Sequence, residues 1–152
     1  MGMPSILLVE DNPDDVLLTR RAVRKAGLLT SLAVVGDGDE AVAYLEASGA
    51  FSDRKAFPLP TLILLDLKLP KRSGLEVLQW IGSRQALATT PVIVLTSSTE
   101  EEDIRQAYQY GANSYLQKPV AFNELVNLLH RLGLYWFDTN LTAPRTAASS
   151  QG

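Results

Sequence analysis

Five short apolar runs alternate with helical sequence patterns along the 152-residue chain. A run of about four to eight apolar residues is typical of a strand covered on both faces, as in a parallel sheet flanked by helices. The alternation therefore predicts five βα units and an α/β fold. The predicted strands span residues 5–10, 31–35, 61–66, 91–96 and 114–117.

Capping residues mark the first of the predicted helices. Asn12 suits the cap, Pro13 suits the first helical position, and the acidic pair Asp14-Asp15 suits the positive end of the helix dipole. Gly27 is expected to end this helix. The other helices are predicted to follow Gly38, to follow Gly74, and to cover about residues 100–110 and 121–135.

The length of the chain suits a single domain with one hydrophobic core. We predict that this domain covers residues 4–137 and that residues 138–152 form a flexible tail. Residues 49–60 are predicted to form a loop between the second helix and the third strand.

Composition narrows the classes of protein to which the chain can belong. A net charge of -3 argues against a basic surface for nucleic acid, and the absence of cysteine excludes disulfides and thiolate metal sites. The start, MGMPSILLVED, lacks the pattern of a signal peptide, and no apolar run approaches the roughly 18 residues of a membrane helix. We therefore expect a cytoplasmic protein that binds neither nucleic acid nor a membrane.

Four of the predicted strands end beside polar or charged side chains. Glu10-Asp11 closes the first strand, Asp66 the third and Thr96 the fourth, and Lys118 follows the fifth. Right-handed crossovers bring these ends to the same edge of a parallel sheet. Three carboxylates and one ammonium carry a formal charge of -2, and crowded carboxylates suit a hard cation such as Mg²⁺.

Each of these residues, taken alone, has an ordinary structural explanation. An isolated Asp66 is typical of a helix cap, and an isolated Glu10-Asp11 pair is typical of a helix start. His130 is the single histidine and lies in a predicted helix, which favours a plain helix residue. Five residue types at fixed order and spacing outweigh these separate explanations and favour a phosphorylation site.

The chain resembles a known family, the receiver domain of response regulators in two-component signalling, over about residues 4–137. The intervals of 30 residues from Asp66 to Thr96 and of 22 from Thr96 to Lys118 are similar to those of the chemotaxis receiver. The resemblance implies a flavodoxin-like, doubly wound, five-stranded parallel sheet with strand order 2-1-3-4-5. The residues that carry it are Glu10-Asp11, Asp66, Thr96, Tyr115 and Lys118-Pro119.

The resemblance implies that Asp66 accepts a phosphoryl group from a sensor histidine kinase in an Mg²⁺-dependent reaction. By the same resemblance, Asp11 and Asp66 bind the metal directly and Glu10 binds it through water. The backbone carbonyl of Lys68 completes the protein ligands, and the resemblance implies no organic cofactor.

The resemblance also assigns a switch. Lys118 pairs with the phosphoryl oxygens, and in this family the Lys118-Pro119 bond is cis. Thr96 donates its hydroxyl to the phosphoryl group, which draws the following loop inward and lets Tyr115 turn in. We therefore expect a phosphorylation switch without an output domain of its own.

Within the family, the chain is similar to single-domain receivers that pair with phytochrome-type histidine kinases. The segments LILLDLKLPKRSGLEVL and YWFDTNLTAP and the long 49–60 loop carry this finer likeness, whereas Pro119 follows the general receiver pattern. The expected partner is therefore a sensor histidine kinase of the phytochrome type. An alternative biological role is that of a phosphate sink or a phosphorelay intermediate.

Two other classes of protein share part of this pattern. A phosphatase of the haloacid dehalogenase type also places an aspartate after an apolar strand, but it needs a second acid where Lys68 stands. A pseudo-receiver that only binds partners does not need the complete set of marker residues. We therefore expect no enzyme activity beyond self-directed phosphotransfer and autodephosphorylation.

The last predicted helix ends in the aromatic residues Tyr135, Trp136 and Phe137. Packing of these side chains on their own domain is one explanation, and an interface is the other. Receivers of this type dimerise through the fourth helix, the fifth strand and the fifth helix. We therefore predict a homodimer that uses the fifth helix and its aromatic end.

Overall fold

A five-stranded parallel sheet forms the centre of the computed structural model, which describes residues 4–141. Its strand order is β2-β1-β3-β4-β5, which confirms the predicted order and the doubly wound fold. The first, third and fourth strands are each one or two residues shorter than predicted. The strands are β1 (Ser5–Val9), β2 (Ser31–Val35), β3 (Leu62–Leu65), β4 (Val92–Thr96) and β5 (Ser114–Gln117).

Five α-helices connect and follow the strands, as the sequence predicted. Short 3-10 turns at Gly49–Phe51 and Gln85–Leu87 lie in the connections before β3 and β4. Within the described residues, no helix has the length and apolar character that would let it span a membrane. The helices are α1 (Pro13–Lys25), α2 (Gly38–Glu46), α3 (Gly74–Gly82), α4 (Glu101–Gln109) and α5 (Phe122–Gly133).

Both faces of the sheet are covered by helices. One hydrophobic cluster lies between the sheet and α2, α3 and α4, and a second lies between the sheet and α1 and α5. Strands β1, β3 and β4 are buried along their whole length. Because successive residues of a strand point to opposite faces, a sheet covered on both sides needs unbroken apolar runs.

The start of α1 follows its predicted capping signals. The Asn12 side chain accepts hydrogen bonds from the backbone N–H groups of Asp14 and Asp15, and Pro13 is the first helical residue. Gly27 has a φ of 76°, a left-handed conformation that glycine adopts without steric cost. The helix that follows β1 is therefore fixed at both ends by local sequence.

The 49–60 loop packs against the domain through an aromatic group and one arginine. The rings of Tyr44, Phe51 and Phe57 contact one another in tilted or edge-to-face arrangements, with ring centroids 5.2 to 6.0 Å apart. The Arg54 guanidinium donates hydrogen bonds to the carbonyls of Tyr44, Leu45 and Phe57. It thereby contributes to capping the end of α2, where the Tyr44 carbonyl also accepts from the Ala47 N–H.

The chain remains helical beyond the end of α5. A π-helical segment, Leu134–Thr139, continues the helix past the predicted domain boundary at residue 137. The Asn140 N–H donates to the Tyr135 carbonyl, the wider i to i−5 spacing of this helix type. The side chains of Trp136 and Phe137 pack on the α1/α5 side of the core. The rest of the predicted tail, from residue 142, lies outside the described residues.

Candidate functional site at the carboxyl edge of the sheet

Pairing between the parallel strands places the predicted site residues side by side at the carboxyl edge of the sheet. Val9 of β1 pairs with Leu65 of β3, and the next N–H along, that of Asp66, donates to the Val9 carbonyl at 3.1 Å. On the other side, the Lys118 N–H donates to the Thr96 carbonyl at 2.7 Å. The parallel sheet thus collects residues from four segments of the chain at its carboxyl edge, as the sequence predicted.

The ammonium of Lys118 lies among three carboxylates. Its Nζ is 2.6 Å from Glu10 Oε1, 3.0 Å from Asp15 Oδ2 and 3.1 Å from Asp66 Oδ2. An ammonium has three N–H donors, so each carboxylate receives one charged hydrogen bond. The Lys118 side chain is 18% exposed and that of Glu10 is 4% exposed, so these are largely buried ion pairs.

The second carboxylate oxygen of Asp66 is also held. The Thr96 hydroxyl donates to Asp66 Oδ1 at 2.9 Å, and the Lys68 N–H donates to the same atom at 3.2 Å. A Cβ atom on Gly74 would lie 2.3 Å from the Asp66 carbonyl oxygen, so glycine is needed for the start of α3 to pack this closely. Asp66 is therefore fixed through both its side chain and its backbone.

Burial and the ion pairs shift the pKa values of Glu10 and Lys118 in opposite directions. Burial raises the pKa of Glu10, while hydrogen bonds from Lys118 and from the Asn12 N–H oppose that rise. Burial alone would lower the pKa of Lys118, but the contacts with Glu10, Asp66 and Asp15 outweigh burial and raise it. Lys118 is therefore a charged ammonium at neutral pH.

Carboxylate oxygens of Glu10, Asp11 and Asp66 lie within 4.8 Å of one another. Opposite oxygen ligands of one Mg²⁺ ion are roughly 4 Å apart, so this donor set fits a hard divalent cation after a small contraction. Asp11 is exposed and gives such a cation access from solvent. The expected ligand role of the Lys68 carbonyl stays a prediction, since the contact seen at Lys68 is made by its N–H.

Tyr115 contacts the segment that follows β4. Its hydroxyl donates to the Ser98 carbonyl at 2.9 Å, and its ring packs against the core. Burial raises the pKa of this hydroxyl, so the group is a neutral donor. The Ser98 hydroxyl in turn donates to Asp103 at the start of α4. Tyr115 and Thr96 are therefore linked through one short segment, and their role as a switch stays a prediction.

One expectation about the backbone is wrong. The Lys118-Pro119 bond is trans, as is every other peptide bond within residues 4–141. The trans form of a bond before proline is generally favoured by roughly 0.5–1 kcal/mol. With the trans bond, Lys118 reaches all three of its carboxylate partners.

Asp15 is the site residue that sequence reasoning missed. The sequence explained it as an acidic residue at a helix start, and the structure adds its contact with Lys118. With Asp15 included, four carboxylates and one ammonium give the site a formal charge of -3. The available signal was its position in the first turn of α1, four residues after Asp11, at the edge where the strands end.

Fold and site define a receiver-type α/β domain. The sequence model of the family described as the response regulator receiver domain matches residues 6–130, so the chain belongs to this family. The probable methanogenesis regulatory protein FilR2 of Methanothrix harundinacea is 39% identical over 89% of this chain and 84% of its own. Response regulator Rcp1 of Synechocystis is 36% identical over 88% of this chain and 89% of its own.

Two solved structures are similar over nearly the whole chain. The phosphorylated cyanobacterial phytochrome response regulator RcpA is 35% identical with a TM-score of 0.86, covering 94% of this chain and 100% of its own. The Mn²⁺-bound form of Rcp1 is 34% identical with a TM-score of 0.82, and the match covers 93% of this chain and 99% of the Rcp1 chain. The chain is therefore a receiver-type response regulator, homologous to phytochrome response regulators.

Replacing Lys118 tests the electrostatics of the site. Lys118→Met keeps a long side chain but leaves Glu10 and Asp66 buried without their cation, and breaking a buried ion pair costs roughly 3–5 kcal/mol. Because the side chain is 18% exposed, we expect a smaller loss of about 2 kcal/mol in the free energy of unfolding. Urea denaturation in metal-free buffer measures this loss.

Lys55→Met is the matched control, because Lys55 is exposed and its replacement should change stability by less than about 0.5 kcal/mol. A divalent cation should restore part of the stability of Lys118→Met, because it neutralises the same carboxylates. Equal stability of the two variants in metal-free buffer would contradict this description of the site.

Proposed function

We propose that Asp66 is the phosphoacceptor of this response regulator. Its carboxylate is held by Thr96 and the Lys68 N–H on one oxygen and by Lys118 on the other, just past the end of a buried strand. This fixed carboxylate is the observation that carries the proposal, because phosphoryl transfer depends chiefly on positioning and on charge stabilisation.

In the proposed reaction, a carboxylate oxygen of Asp66 forms a bond to phosphorus. The bond between phosphorus and the donor breaks at the same centre, and its electron pair leaves with the donor, an imidazole nitrogen for a histidine kinase. The ammonium of Lys118 and the hydroxyl of Thr96 already contact Asp66, so they are placed to bind the oxygens of the incoming phosphoryl group.

Glu10, Asp11 and Asp66 are the proposed metal ligands, with the Lys68 carbonyl as a fourth protein ligand. The metal supplies positive charge that offsets the approach of an anionic donor to an anionic site. Hard carboxylate ligands favour Mg²⁺, and the Mn²⁺-bound form of Rcp1 supports a divalent cation in a related protein.

The proposed donor is a sensor histidine kinase of the phytochrome type, as the similarity to Rcp1 and RcpA suggests. Receiver domains act as phosphorylation switches for histidine kinases in general, and the chain belongs to that family. A cytoplasmic location belongs to the proposal, because sensor kinases take their phosphoryl groups from cytoplasmic ATP. Thr96 and Tyr115 are the proposed switch residues, since Thr96 contacts Asp66 from the end of β4 and Tyr115 contacts the segment between β4 and α4.

A homodimer through α4, β5 and α5 is also part of the proposal. Trp136 and Phe137 are half-buried in their own domain, which makes packing the main role of these two side chains. Tyr135 is 51% exposed and Tyr108 of α4 is 50% exposed, so both leave aromatic surface for a partner. The contact is therefore centred on Tyr135 at the aromatic end.

Phosphorylation is tested by incubation with acetyl phosphate and Mg²⁺ followed by intact mass measurement. We expect one added phosphoryl group per chain, and none with Asp66→Asn, whose amide is not a nucleophile. The exposed Asp138→Asn is the control and should be labelled like the wild type. A phosphoryl group on Asp66→Asn, or on the wild type without a divalent metal, would contradict the assignment.

Association is tested by sedimentation at micromolar protein, with and without phosphorylation. We expect a dimer, and we expect Tyr135→Arg to raise the dissociation constant about tenfold because a charge replaces a central aromatic contact. Leu17→Arg is the control, since Leu17 is 47% exposed on α1, outside the proposed contact. A monomeric wild type in both states, or an equal effect of the two variants, would reject this interface.

A further inference from the structure

Asp15 contacts the site from a helix rather than from a strand end. Its Oδ2 lies 3.0 Å from Lys118 Nζ, and its side chain is 34% exposed. The neighbouring Asp14 lies in the same helical turn, yet its carboxylate forms no ion pair within residues 4–141. These two adjacent acidic residues share one helix start, but only the half-buried Asp15 contacts Lys118, whereas Asp14 is exposed.

The turn that carries Asp15 is held in place by its neighbours. Asn12 Oδ1 accepts from the Asp15 N–H at 3.3 Å, and the Asn12 N–H donates to Glu10 Oε2 at 3.1 Å. Pro13 fixes the backbone at the first helical position. The carboxylates of Glu10 and Asp15 are thus set relative to each other by one rigid turn, with Lys118 between them.

The three carboxylate partners of Lys118 have different proposed roles in the reaction. Glu10 and Asp66 belong to the group of carboxylates that fits a metal, and Asp66 is also the proposed phosphoacceptor. Asp15 lies outside that group, so it is the one of these three partners with no proposed contact to the metal or to phosphorus.

We propose that Asp15 is a positioning residue that anchors the Lys118 ammonium beside Asp66 during phosphoryl transfer. The inference rests on the proposed function of Asp66. It assigns Asp15 no contact with the metal or the phosphoryl group. Its effect is to keep a long, flexible cation in one place, so that less side-chain entropy is lost when the donor binds.

The experiment compares Asp15→Asn with Asp14→Asn. Each substitution removes one negative charge from the first turn of α1, so both change the net charge of the protein equally and the helix dipole interaction similarly. Only Asp15→Asn weakens the contact with Lys118. The measured quantities are the initial rate of phosphorylation by acetyl phosphate with Mg²⁺, followed by intact mass, and the affinity of the unphosphorylated protein for Mn²⁺.

We expect Asp15→Asn to lower the phosphorylation rate about fivefold, as for one partly exposed charged hydrogen bond. Asp14→Asn should stay within about twofold of the wild type, and Asp15→Glu should recover most of the rate because its carboxylate can still reach the ammonium. Both Asn variants should bind Mn²⁺ alike. In a Lys118→Met background, Asp15→Asn should have no further effect, because its partner is already absent.

Equal rates for Asp14→Asn and Asp15→Asn would overturn the inference. So would a weaker Mn²⁺ affinity for Asp15→Asn alone, because Asp15 would then act through the metal. An unchanged effect of Asp15→Asn in the Lys118→Met background would also overturn it. In all three outcomes the wild type still accepts phosphate at Asp66, whereas a wild type that accepts none would overturn both the proposed function and this inference.

Discussion

The crowding of carboxylates around Lys118 is the interaction on which the site depends. Glu10, Asp15 and Asp66 each lie within 3.1 Å of its ammonium, although carboxylates this close repel one another. Lys118 compensates for part of that repulsion and leaves a net negative site. The remaining charge favours a divalent cation, and together the two cations would allow an anionic phosphodonor to approach an anionic acceptor.

The fold makes this arrangement possible by burying the strands on both faces. Residues within β1, β3 and β4 are buried, so the site is formed by the last residue of β4, Thr96, and by positions just past the ends of the other strands. Backbone hydrogen bonds then fix the position of Asp66 beside the end of β1 and the position of Lys118 beside the end of β4. The carboxylate of Asp66 is thereby held in one place, and Tyr115 contacts the segment that joins Thr96 to α4.

Much of this was readable from the sequence because the relevant signals are local. Unbroken apolar runs gave the strands, and the Asn12-Pro13 pair gave the start of α1. The marker residues indicated the family and with it the strand order, which periodicity alone does not contain. The site residues Glu10, Asp66, Thr96 and Lys118 lie together as expected because parallel strands share one carboxyl edge.

The features that the sequence did not reveal depend on distant contacts. The contact of Asp15 with Lys118 spans 103 positions, and its local role at a helix start already explained its identity. The packing of Arg54 on the end of α2 and the π-helical turns after α5 likewise depend on tertiary contacts. The trans bond before Pro119 differs from the cis bond that the resemblance implied.

The central claim is that Asp66 forms an acyl phosphate, and the most direct measurement is chemical trapping. Borohydride reduces an aspartyl phosphate to homoserine but leaves free carboxylates unchanged. Trypsin releases residues 56–68, AFPLPTLILLDLK, a peptide whose single acidic side chain is Asp66. After treatment with acetyl phosphate, Mg²⁺ and borohydride, this peptide should contain homoserine at position 66. Homoserine at Asp11 or another acidic residue instead, with this peptide unchanged, would contradict the account.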